Sequence, residues 1–260
     1  MNPGASDVAM LPDVVNHVHE NQEAPPNRRL AGLKNLCQVL GIHEEAQDTL
    51  EYSCYYHVVQ RGGVIFNAGA YLTHIYFVVS GTAKTKIEHE GELYISDFAV
   101  TGDIIGLEGM DNLTYATTAV AVSNVVLLCV PHPTFISYSQ KFFQVNSAIM
   151  RKIGERIART TMFLEVMARA SAETKVAFFL AYLSVKAGDE SGPAKQINLG
   201  ISRGEIASHL GLAYETTVRI LSNFKSTRII VMKGQIIIIN NPTRLHDLCG
   251  AYIKRLLPPK

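Results

Sequence analysis

Apolar positions along the chain follow different periods in different stretches, and each period predicts a different element. Between Leu30 and Leu50 they fall at Leu33, Leu36, Leu40 and Ala46, the spacing of one or two short helices. From Glu51 to Pro131 the pattern shortens to alternating or β-branched runs: YYHVVQ, THIYFVVSG, TAKTKIEH, ELYISDFAV and TTAVAVSNVVLLCV. Gly62, Gly63, Gly69, Gly81, Gly91, Gly102, Gly106 and Gly109 break these runs. Many short strands with regular turn signals predict an antiparallel sandwich or barrel. From Pro133 to Ala168 the period becomes helical, with Phe142, Val145, Ile149, Ile153, Ile157, Thr160, Leu164 and Met167 at spacings of three and four. Lys152, Glu155, Arg156 and Arg159 lie off that stripe, so one long helix with a narrow apolar seam is expected. The seam suits a coiled-coil partner, or it packs on the strand domain of its own chain. Ser171 and Thr174 open a further helix, AETKVAFFLAYLSVK, which ends near Gly188, before the polar loop Gly188–Ala194.

The stretch Ile201–Phe224, ISRGEIASHLGLAYETTVRILSNF, reads as two short helices around a tight turn. Ser202 caps the first, with Glu205 three residues later to close a capping box. Ala207 is small where two helices approach, and Gly211 supplies the turn. In the second helix Leu212, Ile220 and Leu221 face inward, while Tyr214, Glu215, Thr216, Val218 and Arg219 occupy the other face. This is the layout of a helix-turn-helix, whose second helix sits in the DNA major groove. An ordinary helical hairpin is the plainer alternative. Two β-branched runs follow, Arg228–Met232 and Gln235–Asn240, around Lys233-Gly234, and predict a hairpin wing.

Charge sharpens this picture. Residues 1–170 carry 12 basic and 17 acidic side chains, whereas residues 171–260 carry 12 basic and 6 acidic, so the carboxy-terminal part alone attracts polyanions. The start of the chain is polar, has Pro25-Pro26, and lacks the form of a signal peptide; residues 1–29 read as a flexible tail. His17, His19 and Glu20 within it lack a third ligand on a scaffold. No run approaches the roughly 18 apolar residues of a membrane span. Cys37, Cys54, Cys129 and Cys249 are scattered without a CxxC pair, which points to a reducing cytoplasm.

SRGEIASHLGLAYETTVRIL resembles the DNA-reading segment of the cyclic-AMP receptor/fumarate–nitrate regulator (CRP/FNR) superfamily of bacterial transcription factors. GGVIFNAG, IYFVVSGTAK and VTGDIIGLEGM resemble the glycine turns of that superfamily's β-roll, and the likeness spans about Leu50–Leu248. The resemblance implies an α+β fold: an N-terminal antiparallel β-roll (a cyclic-nucleotide-binding-like jelly roll) within 30–132, a dimerisation helix over 133–169, and a winged helix-turn-helix over 170–260. It implies a homodimeric transcription regulator, not an enzyme, with double-stranded DNA and RNA polymerase as partners and no membrane. On the helix stripe the expected interface residues are Ile149, Ile153, Ile157, Thr160 and Leu164.

Glu215 and Arg219 stand four apart on the exposed face, where Arg can bond guanine O6 and N7 and a carboxylate can accept from cytosine N4. An i,i+4 salt bridge is the alternative. In the superfamily the Glu and Arg of an ETxxR motif read the TGA/TCA core of each half-site, and Glu215-Thr-Thr-Val-Arg219 matches it. Thr217 departs from a usually buried Val or Ile, Val218 from a usual Gly or Ser, and Tyr214 from the Arg of cyclic-AMP receptors. Val218 and Tyr214 are therefore base-contact candidates outside the TGA core, Val218 through a thymine methyl. Ser202, Arg203, Thr216, Lys225 and Lys233 are phosphate-contact candidates.

The sequence names no effector, and regulation without one stays open. Where cyclic-nucleotide members hold the phosphate with an Arg-Ser pair, this chain has Tyr115-Ala116, although Thr160 and Thr161 match the hydroxyl pair that meets the base. Iron–sulfur members use four cysteines; only Cys37 and, one residue out of register, Cys129 lie near such positions, so no cofactor is expected. Haem through His57, His74 or Cys54 and a thiol switch stay open. The rival from another class is a ligand- or metal-binding β-roll or cupin-like enzyme, which needs clustered ligands that His57, His74 and His89 do not form.

Overall fold

The computed structural model describes residues 54–186, 195–197, 201–234 and 236–256. The expected tail 1–29, the short helices of Leu30–Leu50, His17, His19, Glu20 and Cys37 lie outside them, as does the loop 187–194.

The strand pattern of the first half closes into two four-stranded antiparallel sheets. One has the order β1 (Tyr55–Val59), β8 (Val125–Pro131), β3 (His74–Ser80), β6 (Ile104–Ile105). The other has the order β2 (Val64–Phe66), β7 (Thr118–Ala121), β4 (Thr82–His89), β5 (Glu92–Val100). β8 is paired on both edges and reads VVLLCVP, apolar at every position before the proline, as a strand buried on both faces must. Its Leu127 and Leu128 lie with Ile75, Ala83 and Ala119 in the core between the sheets. The β4–β5 hairpin turns at Glu90-Gly91, both at positive φ (53° and 81°), the condition for a tight two-residue turn that matches strand twist. The inner half of β4 is buried and its outer half exposed, so this hairpin projects beyond the roll.

The long helix departs from expectation. It is two helices, α1 (His132–Lys141) and α2 (Phe143–Arg169), separated at Phe142, whose backbone is extended (φ −117°, ψ 108°). Neither Pro nor Gly marks the break. The Phe142 ring packs 5.4 Å from Tyr138 at the edge of the roll core, and that tertiary contact outweighs the helical preference of one residue. α2 then bridges two cores. Val145, Ala148 and Ile149 join the roll, Met162 and Val166 join the carboxy-terminal domain, and no residue between them is buried.

Ala170 leaves the helical region (φ −81°, ψ 151°) and ends α2 before α3 (Ala172–Lys186). α3 is buried at every position from Val176 to Ser184, as the helix at the centre of the carboxy-terminal domain must be. Around it lie α4 (Arg203–Leu210), α5 (Tyr214–Ser226), α6 (Pro242–Cys249) and a sheet of order β10 (Ile230–Lys233), β11 (Ile236–Ile239), β9 (Lys195–Ile197). The wing differs from the sequence reading in two details. Lys233 belongs to β10 and pairs with Ile236, so the turn sits one residue later than expected, with Gly234 at φ 62°. β9 adds a third strand that the pattern did not predict.

Candidate nucleic-acid interface

The recognition unit is fixed by local bonds at each corner. The Ser202 hydroxyl accepts from the Glu205 N–H at 3.2 Å while the Ser202 N–H donates to the Glu205 carboxylate at 2.8 Å, a complete capping box on α4. Gly211 ends α4 in the left-handed region (φ 58°), which glycine enters without strain. Leu212 then donates its N–H to the Ala207 carbonyl, and α5 begins after Ala213. Ala207 is buried at this turn, where a larger side chain would hold the helices apart.

α5 buries Thr217, Ile220, Leu221 and Phe224, and Leu212 is half-buried. Thr217 sits on the inward face despite its hydroxyl, because Oγ1 donates to the Ala213 carbonyl at 3.2 Å. Left unsatisfied at that depth, the hydroxyl would cost about 1–3 kcal/mol. The polar substitution therefore leaves the helix seated on the face the family pattern needs. Tyr214, Glu215 and Arg219 are exposed and Val218 half-buried, so four base-contact candidates lie on one strip at i, i+1, i+4 and i+5, which Ser222 extends. Among the described residues Glu215 and Arg219 form no ion pair, with each other or elsewhere, so the helix salt bridge does not occupy them.

The phosphate-contact candidates separate. Arg203 is exposed at the start of α4, Lys225 in the last turn of α5 and Lys233 beside the wing turn. Thr216 is half-buried, and the Ser202 hydroxyl already serves the capping box.

The seam on α2 also separates. Ile149 is 3% exposed within the roll core, which removes it from the expected interface: two adjacent stripes run along α2, and Ile149 lies on the inward one. Ile153 is half-buried against the roll, whereas Ile157, Thr160 and Leu164 are exposed. Phe143, Met150, Ile157 and Leu164 recur every seven residues at 81%, 58%, 62% and 66% exposure, an apolar heptad row left open to solvent.

In the roll, Tyr115 occupies the expected phosphate-binding position but turns inward. Its ring stacks on Phe66 with centroids 4.0 Å apart, and its hydroxyl donates to the His74 carbonyl at 2.8 Å. Ala116 and Thr117 border a cavity of about 360 Å³ together with Glu108, Arg156, Arg159 and Thr160. The charges there are mutually engaged: Thr117 donates to Glu108 at 2.9 Å, Arg156 lies 3.8 Å from Glu108, and Asp103 meets Arg159 at 3.8 Å and Lys186 at 2.8 Å. The second Glu108 oxygen has no hydrogen bond, since 3.8 Å to Arg156 is an ion pair beyond bonding reach. Thr161 spends its hydroxyl on the Ile157 carbonyl of its own helix. Tyr115 itself does not border this cavity, whose two guanidiniums, Arg156 and Arg159, face carboxylates of the same chain.

The three described cysteines are dispersed: Cys54 and Cys129 lie at the roll core and Cys249 in the core of the other domain. Burial pushes the Cys129 thiol up to about 12, as it does that of Cys249, which lies in the other domain. Both are buried free thiols. The His74 ring lies 3.3 Å from the Tyr55 hydroxyl, and among the described residues no three His, Cys, Asp or Glu side chains are grouped to hold a metal ion.

One set of residues escaped the sequence reading. Ser208 donates its hydroxyl to the Leu93 carbonyl at 3.1 Å, His209 Nδ1 donates to the Ile95 carbonyl at 3.0 Å, and Lys84 pairs with Glu205. α4 is thereby seated on the β4–β5 hairpin. The sole sequence signal is a histidine amid the apolar pattern of a short helix.

Comparison with known proteins agrees with this architecture. Residues 56–142 match the cyclic nucleotide-binding domain family and residues 174–248 the Crp-like helix-turn-helix domain family. The fumarate and nitrate reduction regulatory protein of Yersinia pestis is 30% identical over 193 residues, covering 74% of this chain and 77% of that one. The anaerobic regulatory protein of Aggregatibacter actinomycetemcomitans is also 30% identical, covering 74% and 75%. The solved structure of FixK2 from Bradyrhizobium japonicum shares the fold, with a TM-score of 0.68 and 22% identity over 76% of this chain and 98% of that one. The chain belongs to the CRP/FNR superfamily of DNA-binding transcription regulators.

Proposed function

We propose that this regulator acts as a homodimer on an inverted repeat whose half-sites contain TGA. The observation that carries the reading is the Glu215–Arg219 pair: exposed, one helical turn apart on α5, and engaged with no other charge among the described residues. A guanidinium so placed reads guanine O6 and N7, and the carboxylate accepts from cytosine N4. Tyr214 and Val218 flank the pair on the same strip and select the neighbouring bases; Arg203, Lys225 and Lys233 hold phosphates.

The open heptad row on α2 supports the dimer. With Phe143, Met150, Ile157 and Leu164 as one set of seam positions, the second set three residues on is Asn146, Ile153, Thr160 and Met167. Two α2 helices joined there carry two heads, and half-site centres about one helical turn apart match a two-fold dimer. RNA polymerase is the further partner implied by this reading. No described helix is long and apolar enough to cross a membrane.

The regulator acts without a cyclic nucleotide, through another effector or none. Tyr115 fills the core where the phosphate-binding side chain belongs, and Arg156 and Arg159 face carboxylates. Selection of bound duplexes from a random pool by the full chain tests the reading: an inverted repeat with TGA and TCA is expected, and an enriched motif without two-fold symmetry contradicts it.

A further inference from the structure

Among the contacts between head and roll, one side chain is central. His209 projects from α4 into a cage of three aromatic rings, each from a different element: Phe98 of β5 at 5.2 Å, Phe163 of α2 at 5.6 Å and Phe179 of α3 at 5.1 Å. Its Nδ1–H donates to the Ile95 carbonyl at 3.0 Å, which fixes the tautomer and leaves Nε2 without a proton in the neutral ring. Beside it, Ser208 bonds the Leu93 carbonyl and lies within reach of the Ile95 N–H, and Lys84 of β4 pairs with Glu205. Phe98, Ile95 and Val122 of the roll are buried in the hydrophobic core of the head, so sensor and head share this junction.

We propose that His209 is the positioning residue that seats the DNA-binding head on the β4–β5 hairpin, and that a proton on its ring releases the head. The inference rests on the reading above, in which the two heads must be held at a fixed spacing to grip an inverted repeat. A seated head presents Tyr214, Glu215 and Arg219 to solvent in one orientation; a released head loses that alignment.

Burial and the charges around the ring together set the sign. Asp97 comes from β5, Tyr182 and Lys186 from α3, and Arg156 and Arg159 of α2 border the same cavity with Glu108. Desolvation in the cage is the largest influence and lowers the affinity of the ring for a proton. The Ile95 carbonyl and Asp97 oppose it, Lys186 reinforces it, and the net shift is below the ordinary value of 6.5. A group depressed in the seated state takes up its proton more readily when released. Seating is therefore fully favoured above pH 6.5 and is lost progressively as pH falls below it. At pH 5.5, one unit below the ordinary value, the released state gains up to about tenfold per protomer.

The test compares the full chain with His209→Asn, which keeps an amide donor in place of Nδ1–H and cannot be charged, and with His209→Phe, which keeps the ring. Hydrogen exchange of the DNA-free protein is followed at pH 7.5 and 5.5, with rates corrected for their chemical pH dependence. Peptides covering β5 and α4 of the wild type should lose protection by up to about tenfold on acidification, whereas both variants should show no such change. Affinity for the tightest duplex from the selection is measured alongside, and the wild type alone should weaken at pH 5.5. Equal acid responses in wild type and His209→Asn, or unchanged wild-type protection, overturn the proposal. An acid response in exchange with no duplex bound at either pH upholds the role of His209 and overturns the reading of the DNA face instead.

Discussion

The outer face of α5 and the interior of the β-roll treat polar groups in opposite ways. On α5, Tyr214, Glu215 and Arg219 stand in solvent, and the two charges face no counter-ion among the described residues. In the roll, the Tyr115 hydroxyl is bonded to the His74 backbone, Thr117 and Arg156 engage Glu108, and Asp103 holds Arg159 and Lys186. Side chains meant to meet another molecule are left with bonding capacity, whereas these roll groups are engaged within the chain, the second Glu108 oxygen through an ion pair alone. By this measure the proposed DNA-reading face is open, whereas Tyr115 of the roll is core.

If that contrast is right, substitutions in the two regions fail in different ways. The largest effect is expected at the open row between them. Ile157→Asp places a charge in the proposed seam and should yield monomers that lose operator binding almost entirely while the fold survives, because Ile157 is exposed in the protomer. Light scattering that finds unchanged dimers removes the coiled-coil seam. Tyr115→Ala deletes a ring stacked between Phe66 and the turn at Gly106, and should cost about 3–5 kcal/mol of stability in denaturant unfolding. A loss below about 1 kcal/mol would mean that the ring is not core. Arg219→Ala should leave unfolding within about 0.5 kcal/mol yet cost about 1–3 kcal/mol of binding per half-site. Lys233→Ala should have the smallest effect, a uniform weakening with a salt dependence shallower by about one unit per head.

What could be read from the sequence follows from the range of each signal. Ser202, Glu205 and Gly211 act through bonds within a few residues, so their pattern alone specified α4 and its turn. The strands of the roll were legible because glycines punctuate them and burial imposes alternation. The break at Phe142 was not legible, since it depends on Tyr138 and the roll behind it. Nor was the phase of the seam: the buried stripe through Val145 and Ile149 and the open row through Met150 and Ile157 differ by one residue, and periodicity cannot tell which faces the roll. The wing turn slipped by one residue because Gly234 accommodates positive φ at either position of a tight turn. Thr217 departs from the usual Val or Ile, yet its hydroxyl is satisfied within the helix and it lies buried, a bond that residue type alone does not reveal. The seating of α4 on the hairpin joins Lys84 to Glu205 across 121 residues, a separation over which local pattern carries no information.

Competition binding at fixed salt, against a panel of single-base variants of one half-site, tests the central claim most directly. The wild type should discriminate at the guanine and cytosine of the TGA/TCA core, each wrong pair costing about 1–3 kcal/mol. Arg219→Ala should flatten discrimination at the guanine and leave the other positions ordered as before, whereas Lys233→Ala should lower every affinity alike. An Arg219→Ala protein that weakens equally on every duplex would make Arg219 a phosphate clamp, and the account of α5 as the base-reading face would be wrong.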